Sequence, residues 1–166
     1  PLGNYDRNSI YELPIKPSPN LPNWESVYLY PSLCLFEGTI VSVGRGTETP
    51  FQLYGHPLMN EDFTFTPKQA EGRKAPLLCN QLCRGELLID YAHNYKQNKK
   101  ELKLSWIINA YNQLKDNEKF FNNFFVKLTG TKDFEQQIKA GLSEEEIRKN
   151  WEPKLKEYKK IRKRYL

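Results

Sequence analysis

The spacing of apolar residues changes between the two halves of this 166-residue chain, and the change limits the folds open to it. In the first half, short stretches of alternating apolar and polar residues lie between prolines and glycines, a pattern typical of strands and turns. From residue 102 to 114, apolar residues recur at positions 104, 107, 108, 111 and 114, which is one face of a helix. We therefore predict an α+β fold, in which a strand- and loop-rich N-terminal half packs against a helical C-terminal half.

Length and composition fit one folded unit. The chain is 39% hydrophobic and 13% aromatic, which excludes a disordered segment. It contains no run of about 18 apolar residues, so we expect no membrane span, and no segment has the features of a signal peptide. We predict a single domain over residues 4–166, and residues 1–3 are treated as a possible cloning remnant.

The first half is expected to be mostly extended. Residues 4–23 are predicted to form an extended lead-in that ends in a stiff proline-rich loop, KPSPNLPN. Residues 24–36 are predicted to form two short helical turns divided at Pro31. Alternation at 39–43 predicts a strand, and further strands are predicted at 51–54, 63–66 and 86–90.

The second half is expected to contain four helices. After the helix at 102–114, Asp116 is predicted to cap a helix that carries Phe120 to Leu128 and ends at Gly130. The next helix is predicted to start at Thr131 or Asp133 and to end at Gly141.

The last helix has the clearest start signal. Ser143 and Glu146 have the spacing of a capping box. One stripe of this helix is predicted to be buried, and Pro153 is predicted to kink or restart it. The members of the stripe are Ile147, Trp151, Leu155, Tyr158 and Ile161.

The net charge of +5 is concentrated at the C-terminal end. Residues 143–166 contain nine Lys and Arg against five Glu. A basic segment can bind nucleic acid or a membrane surface. Here the basic residues fall mainly off the apolar stripe, toward the C-terminal end of a helix, where the helix dipole favours cations. This favours a solvated helix face, and no nucleic acid partner is predicted.

The three cysteines do not form a metal-binding pattern. Cys34, Cys79 and Cys83 contain no CxxC pair, and only His56 and His93 are available to complete a zinc site. We predict no metal and no cofactor.

The segment GRG at positions 44–46 is the first candidate binding feature. Gly44 and Gly46 can adopt positive φ and allow a ligand close to the backbone. Arg45 offers a planar set of donors suited to a carboxylate or phosphate. The alternative is a tight turn that carries a surface arginine. The phosphate-binding pattern GxxxxGK[ST] is absent.

Two further residues extend this candidate surface. In a regular strand from 37 to 45, Glu37 and Arg45 would share a face, and they would either bind a polar ligand together or pair with each other. Asn20 lies on the proline-rich loop, where its amide either binds sugar hydroxyls and acetamido groups or closes a local turn. The residues thus indicate a polar, glycine-lined binding surface without naming its ligand.

Several segments in order resemble one known family. They are PSPNLPN (17–23), YPSLCLFEGT (30–39), SVGRGT (42–47) and PFQLYGHP (50–57), followed by KLTGT (127–131), IKAGLSEEEIRKNW (138–151) and RKRYL (162–166). Together they are similar to the C-terminal domain of NamZ-type exo-β-N-acetylmuramidases, a glycoside hydrolase family formerly known as a domain of unknown function. The resemblance covers nearly the whole chain.

The resemblance implies a function and a partner domain. Family members cleave N-acetylmuramic acid from the non-reducing ends of peptidoglycan fragments, in a cleft between an N-terminal Rossmann-like domain and the C-terminal domain. The N-terminal domain, which carries the proposed catalytic Glu, is absent from this chain, so the chain alone is expected to be inactive. A non-catalytic sugar-binding module is the alternative. The substrate implies a periplasmic or secreted location.

The resemblance also implies a set of site residues. Arg45 is expected to bind the lactyl carboxylate of muramic acid, and Glu37 is expected to be a binding or accessory residue, while the catalytic residue is not identified in this chain. The full predicted set of substrate-binding residues is Asn20, Glu37, Ser42, Gly44, Arg45, Gly46 and Thr47.

Overall fold

The computed structural model describes residues 9, 11, 13–98, 101–116 and 119–165, and it has the predicted α+β arrangement. Of the predicted lead-in, residues 4–8, 10 and 12 lie outside these residues. The elements, in chain order, are α1 (Trp24–Leu33), a 3-10 segment (Cys34–Gly38), β1 (Leu53–His56), β2 (Phe63–Phe65), β3 (Cys83–Leu87), α2 (Ile89–His93), α3 (Ser105–Leu114), α4 (Phe125–Thr129), α5 (Asp133–Lys139) and α6 (Glu144–Arg162).

The sheet is small and antiparallel, with β3 between β1 and β2. A Cβ atom at Gly85 would lie 1.8 Å from the carbonyl oxygen of Tyr54, so the backbones of β1 and β3 lie too close together here to allow a side chain. The strand predicted at 63–66 is confirmed. The strands predicted at 51–54 and 86–90 exist with shifted bounds. The first is β1, which begins at Leu53, and the second is β3, which ends at Leu87, shortly before α2 begins at Ile89.

The strand predicted at 39–43 is wrong. These residues are extended, but they form only single bridges, between Thr39 and Phe121 and between Ser42 and Gly55. Val41 and Val43 are buried in the main core. Ser42 is buried as well, so the alternation does not mark one buried face. The segment passes through the interior of the protein, and we call it the linking segment (residues 38–43).

Helix α1 continues through Pro31, so the predicted division there is also wrong. Asn23 begins the helix, and its side-chain oxygen accepts a hydrogen bond from the Ser26 amide at 3.1 Å. A proline removes one helical hydrogen bond. Pro31 lies only two residues before the end of the helix at Leu33, where little helix remains to be disturbed.

The long phenylalanine helix predicted after Asp116 is reduced to the short α4, and Asp116 does not cap it. Phe120 and Phe121 are extended beside the linking segment: the Ile40 amide donates to the Phe120 carbonyl at 3.1 Å. Both rings are buried, so tertiary packing overrides the helical spacing of the sequence. The predicted stop at Gly130 is confirmed, with φ of 72°.

The last two helices follow the local signals closely. Helix α5 lies within the predicted bounds, and Gly141 has φ of 77°. The predicted capping box is present: the Glu146 amide donates to the Ser143 hydroxyl, and the Ser143 amide donates to the Glu146 carboxylate at 2.8 Å. Helix α6 does not restart at Pro153, and its basic side chains are exposed along its second half.

Only the first half of the predicted α6 stripe is buried. Ile147 is buried, and the Trp151 ring packs against Phe134 with centroids 5.2 Å apart. The rest of the stripe was wrongly predicted as buried. Its members form what we call the distal stripe, and their exposed fractions are 46% for Leu155, 60% for Tyr158 and 47% for Ile161.

A polar network joins the sheet to α3. The buried Tyr54 hydroxyl donates to Glu86 at 2.6 Å, and burial followed by this carboxylate raises the pKa of Tyr54. Gln113 donates to Glu61 at 2.8 Å, and Asn109 donates to the same oxygen. These bonds satisfy the polar groups at the junction of the sheet and the helix.

Substitutions on α6 distinguish its packed and exposed halves. Trp151→Ala is expected to lower the free energy of unfolding by about 2 kcal/mol, because it removes a half-buried ring from the core. Tyr158→Ala is the matched control and is expected to change it by less than about 0.5 kcal/mol. Urea unfolding of both variants measures these values. Equal losses would show that the distal stripe is packed in this chain.

Candidate functional site

The candidate site is built around a closed loop between the linking segment and β1, which we call the glycine loop (residues 44–51). The Thr47 amide donates to the Gly44 carbonyl at 3.0 Å, and the Phe51 amide donates to the Val43 carbonyl at 2.8 Å. Gly44, Gly46 and Phe51 all have positive φ. The segment GRG therefore forms a tight turn, which was one of the two interpretations that the sequence left open.

Both glycines are required by contacts within the chain. A Cβ atom at Gly44 would lie 2.8 Å from Leu53, and one at Gly46 would lie 2.3 Å from the Lys68 carbonyl oxygen. The Lys68 amide also donates to the Gly46 carbonyl at 2.9 Å. These contacts within the chain are enough to explain why both positions need glycine. A role of the two glycines in binding a sugar stays a prediction.

Glu37 and Arg45 form an ion pair. Arg45 Nη2 lies 2.6 Å from Glu37 Oε2, with 41% of the arginine side chain and 23% of the glutamate side chain exposed. The Arg45 guanidinium also lies 5.1 Å from the centre of the Phe51 ring, which packs against Tyr30. Of the two interpretations left open by the sequence, pairing with each other is confirmed.

The pairing does not come from a shared strand face. Glu37 belongs to the 3-10 segment, and the linking segment between the two residues is not a strand. The two side chains meet because the linking segment carries the chain from the 3-10 segment to the glycine loop.

The environment of this ion pair disfavours negative charge on neighbouring groups. Burial first, and then the Glu37 carboxylate, raise the pKa of the Cys34 thiol. The same two causes, in the same order, raise the pKa of Tyr30, while Arg45 acts in the opposite direction. Both groups therefore stay neutral beside the ion pair at neutral pH.

The predicted site residues fall into two cavities on either side of the glycine loop. The first, of about 160 Å³, is lined by Glu37, Ser42 and Arg45 together with Val41, Val43 and Leu77. The second, of about 220 Å³, is lined by Asn20, Gly46 and Thr47 together with Pro19, Pro50, Lys68, Gln69, Ala70 and Arg73. Gly44 is buried and lines neither cavity.

Two predicted hydroxyl groups are engaged within the loop. The Ser42 hydroxyl accepts a hydrogen bond from the Gly44 amide at 3.2 Å. The Thr47 hydroxyl donates to the Gly44 carbonyl at 2.7 Å and accepts from the Thr49 amide at 3.2 Å. These residues hold the shape of the loop.

Sequence reasoning did not identify Lys68 and Arg73 as residues of this site. They lie 17 and 22 residues after the end of the glycine loop, in a stretch with neither helical nor strand periodicity. A signal was present, since two cations flank a turn that contains Gly72, but nothing in the sequence places that turn beside Gly46.

A larger groove of about 960 Å³ lies elsewhere, between the first half of α6 and residues that include Asn98, Glu101 and Lys103. Three of its charged side chains are paired: Arg148 contacts Glu144 at 2.6 Å and Glu101 at 3.4 Å. Burial acts to raise the pKa of Glu144, but hydrogen bonds from Arg148 and the backbone hold it below its usual value. The contact between Arg148 and Glu101 links α6 to the segment before α3.

Within the described ranges, no group of three His, Cys, Asp or Glu side chains is placed to hold a metal ion. No helix in that part of the chain is long and apolar enough to cross a membrane.

Comparisons with known proteins agree with one another. The family model described as "Exo-beta-N-acetylmuramidase NamZ, C-terminal" matches residues 28–166. A curated relative, the peptidoglycan β-N-acetylmuramidase NamZ of Bacillus subtilis, is 30% identical over 173 residues, covering 92% of this chain and 40% of the relative. A crystal structure of a DUF1343 family protein from Bacteroides fragilis is 44% identical, with a TM-score of 0.86, covering 98% of this chain and 46% of that chain. The chain thus spans less than half the length of either protein.

The tight contact at Gly46 can be tested against a glycine with similar φ. Gly46→Ala and Gly72→Ala both place a side chain at positive φ, 83° and 70° respectively, but only Gly46 lacks space for a Cβ atom. Gly72→Ala is expected to lower the free energy of unfolding by about 1 kcal/mol from backbone strain. Gly46→Ala is expected to lower it by at least about 2 kcal/mol, because the steric contact adds to the strain. Urea unfolding of both variants measures these losses. An equal loss of unfolding free energy in the two variants would contradict the close contact between Gly46 and Lys68.

Proposed function

The chain belongs to the family of C-terminal domains of NamZ-type exo-β-N-acetylmuramidases, and from this membership we propose that it forms one side of their substrate site. The full-length protein would be a glycoside hydrolase that releases N-acetylmuramic acid from the non-reducing ends of peptidoglycan fragments. The observation that carries this proposal is that the matched residues, 28–166, include the Glu37–Arg45 ion pair, the glycine loop and the whole lining of the first cavity.

Glu37 fits an accessory role better than that of a general acid. A general acid must reach the leaving-group oxygen, whereas the Glu37 carboxylate is held by Arg45 Nη2 at 2.6 Å. Glycosidases of the common type use two carboxyl groups on opposite sides of the scissile bond. We propose that the catalytic carboxyl group comes from the preceding region of the full-length protein, and that Glu37 and Arg45 together shape the wall of the site.

The distal stripe of α6 supports a contact with that preceding region. Leu155 and Tyr158 border an apolar groove of about 600 Å³ that reaches the core residues Leu35 and Phe134. Lysines and arginines surround the stripe, including Lys154, Lys159 and Arg162. The relatives carry more than half of their length outside the part matched by this chain. We propose that this additional region covers the stripe with an apolar surface edged by acidic side chains.

A second candidate function is a sugar-binding module without catalysis. The chain has a core of its own and two cavities beside a stiff loop, although it spans less than half of its relatives. Under either function the ligand is a cell-wall saccharide, so we propose a periplasmic or secreted location.

Hydrolysis of a chromogenic N-acetylmuramic acid glycoside tests the proposed function. The assay compares this chain, the chain joined to its native preceding region, and the joined protein with Arg45→Ala or, as control, Lys127→Ala. We expect activity only in the joined proteins. Arg45→Ala is expected to reduce kcat/KM about 10- to 100-fold, because it leaves Glu37 unpaired in the wall of the site. Lys127→Ala should have no effect. A folded but inactive joined protein would favour the sugar-binding module.

Hydrogen exchange tests the contact on α6. Amides of residues 155–162 are expected to exchange about tenfold more slowly in the joined protein than in this chain, because the covering region suppresses local opening. Leu155→Gln with Ile161→Gln should remove that protection, whereas the control Lys156→Gln with Lys163→Gln should retain most of it. Equal exchange in the joined and isolated forms would show that the stripe is not covered by that region.

A further inference from the structure

The second cavity, on the side of the glycine loop away from the Glu37–Arg45 ion pair, contains two cations that the proposed function does not yet use. We propose that Lys68 and Arg73 form a carboxylate-binding subsite there, which takes the acidic substituent of an N-acetylated amino sugar. This inference rests on the proposed function, because it names the group of the saccharide that this side of the loop recognises.

The walls of the cavity are fixed by short-range constraints. The Lys68 amide donates to the Gly46 carbonyl, and the Asn80 amide donates to the Pro67 carbonyl at 2.8 Å, so the backbone before Lys68 is held on both sides. Pro19 and Pro50 limit the backbone of the two flanking loops. The lysine therefore extends from a fixed backbone position.

The cations have no carboxylate partner among the described residues. The ion pairs there involve neither Lys68 nor Arg73. Lys68 Nζ makes a long hydrogen bond of 3.4 Å to the Asn80 side chain. Glu48 lies in the glycine loop and Glu71 lies in the turn that carries Arg73, but neither lines the cavity. The cavity thus offers positive charge that is available to an anion.

The first cavity is a poorer anion receptor, although Arg45 was the residue predicted to bind the lactyl carboxylate. The Arg45 charge is already balanced by Glu37 at 2.6 Å. A ligand carboxylate placed against Arg45 would lie near the Glu37 carboxylate and be repelled by it. The second cavity therefore favours an anion more than the first cavity does.

Neutral groups in the second cavity suit the remainder of such a sugar. The Asn20 amide lines the cavity, and an amide both donates to and accepts from hydroxyl or acetamido groups. Gln69 Nε2 donates to the Arg73 carbonyl at 2.9 Å, which holds the turn that carries the arginine. At about 220 Å³ the cavity is smaller than typical ligand pockets of about 300–1,000 Å³, so it fits a substituent of a sugar better than a whole oligosaccharide.

A titration of this chain followed by NMR tests the subsite with two probes that differ in one group. N-acetylmuramic acid carries a lactyl carboxylate, and N-acetylglucosamine has a hydroxyl in its place. We expect the wild-type chain to bind the first about tenfold more tightly, with the largest amide shifts at Gly46, Thr47 and Lys68. The measured quantity is the ratio of the two dissociation constants, which cancels losses common to both sugars.

Four proteins are compared: wild type, Lys68→Gln with Arg73→Gln, Arg45→Gln, and the control Lys127→Gln. The double variant is expected to bring the ratio of the two dissociation constants to about one, while Arg45→Gln and Lys127→Gln are expected to keep the wild-type ratio. The amide spectrum of each variant reports whether it is folded.

Loss of the preference in Arg45→Gln, with its retention in the double variant, would overturn the subsite and assign the carboxylate to the first cavity. The proposed function would stand in that case. Equal binding of both sugars by wild type, or binding of neither, would also overturn the subsite. The hydrolysis assay on the joined protein then decides independently whether the proposed function fails with it.

Discussion

The two halves of the fold meet where Gly38 lies against the start of α4. A Cβ atom at this glycine would lie 2.5 Å from the Cα atom of Phe125, so any side chain would push the backbones apart. The Asn122 amide donates to the Gly38 carbonyl at 3.0 Å across the same contact. From here the linking segment leads through the core to its bridge with Gly55 in the sheet. The relative position of helices and sheet depends on this contact.

The candidate site inherits its geometry from the same segment. Glu37 precedes the contact with α4, and Arg45 follows the bridge to the sheet. The ion pair thus joins the two ends of a segment whose middle is anchored in the core. A change at the contact with Phe125 would displace Glu37 relative to the glycine loop, although Phe125 itself touches neither cavity.

Several structural features that depend on residues close in sequence were predicted correctly, whereas several features that depend on the pairing of distant segments were not. The Ser143–Glu146 box and the turns at Gly130 and Gly141 depend on residues within one or two turns of helix, and all are present. The alternation at 39–43 and the helical spacing that began at Phe120 were misread, because residues 39 and 40 pair with Phe120 and Phe121, about 80 residues away in sequence. Likewise, the pairing of Glu37 with Arg45 was among the predicted alternatives, whereas the position of Lys68 beside Gly46 depends on a loop contact without a sequence signature.

The glycine loop is ordered before any ligand arrives, and this has a thermodynamic consequence. Fixing the backbone of one flexible residue costs about 1–2 kcal/mol of conformational entropy. The bonds from Thr47 to Gly44, from Phe51 to Val43 and from Lys68 to Gly46 have already met that cost during folding. A saccharide that contacts the loop can therefore bind without ordering it, so a few weak hydrogen bonds at this surface contribute more of their strength to affinity than they would on a mobile loop.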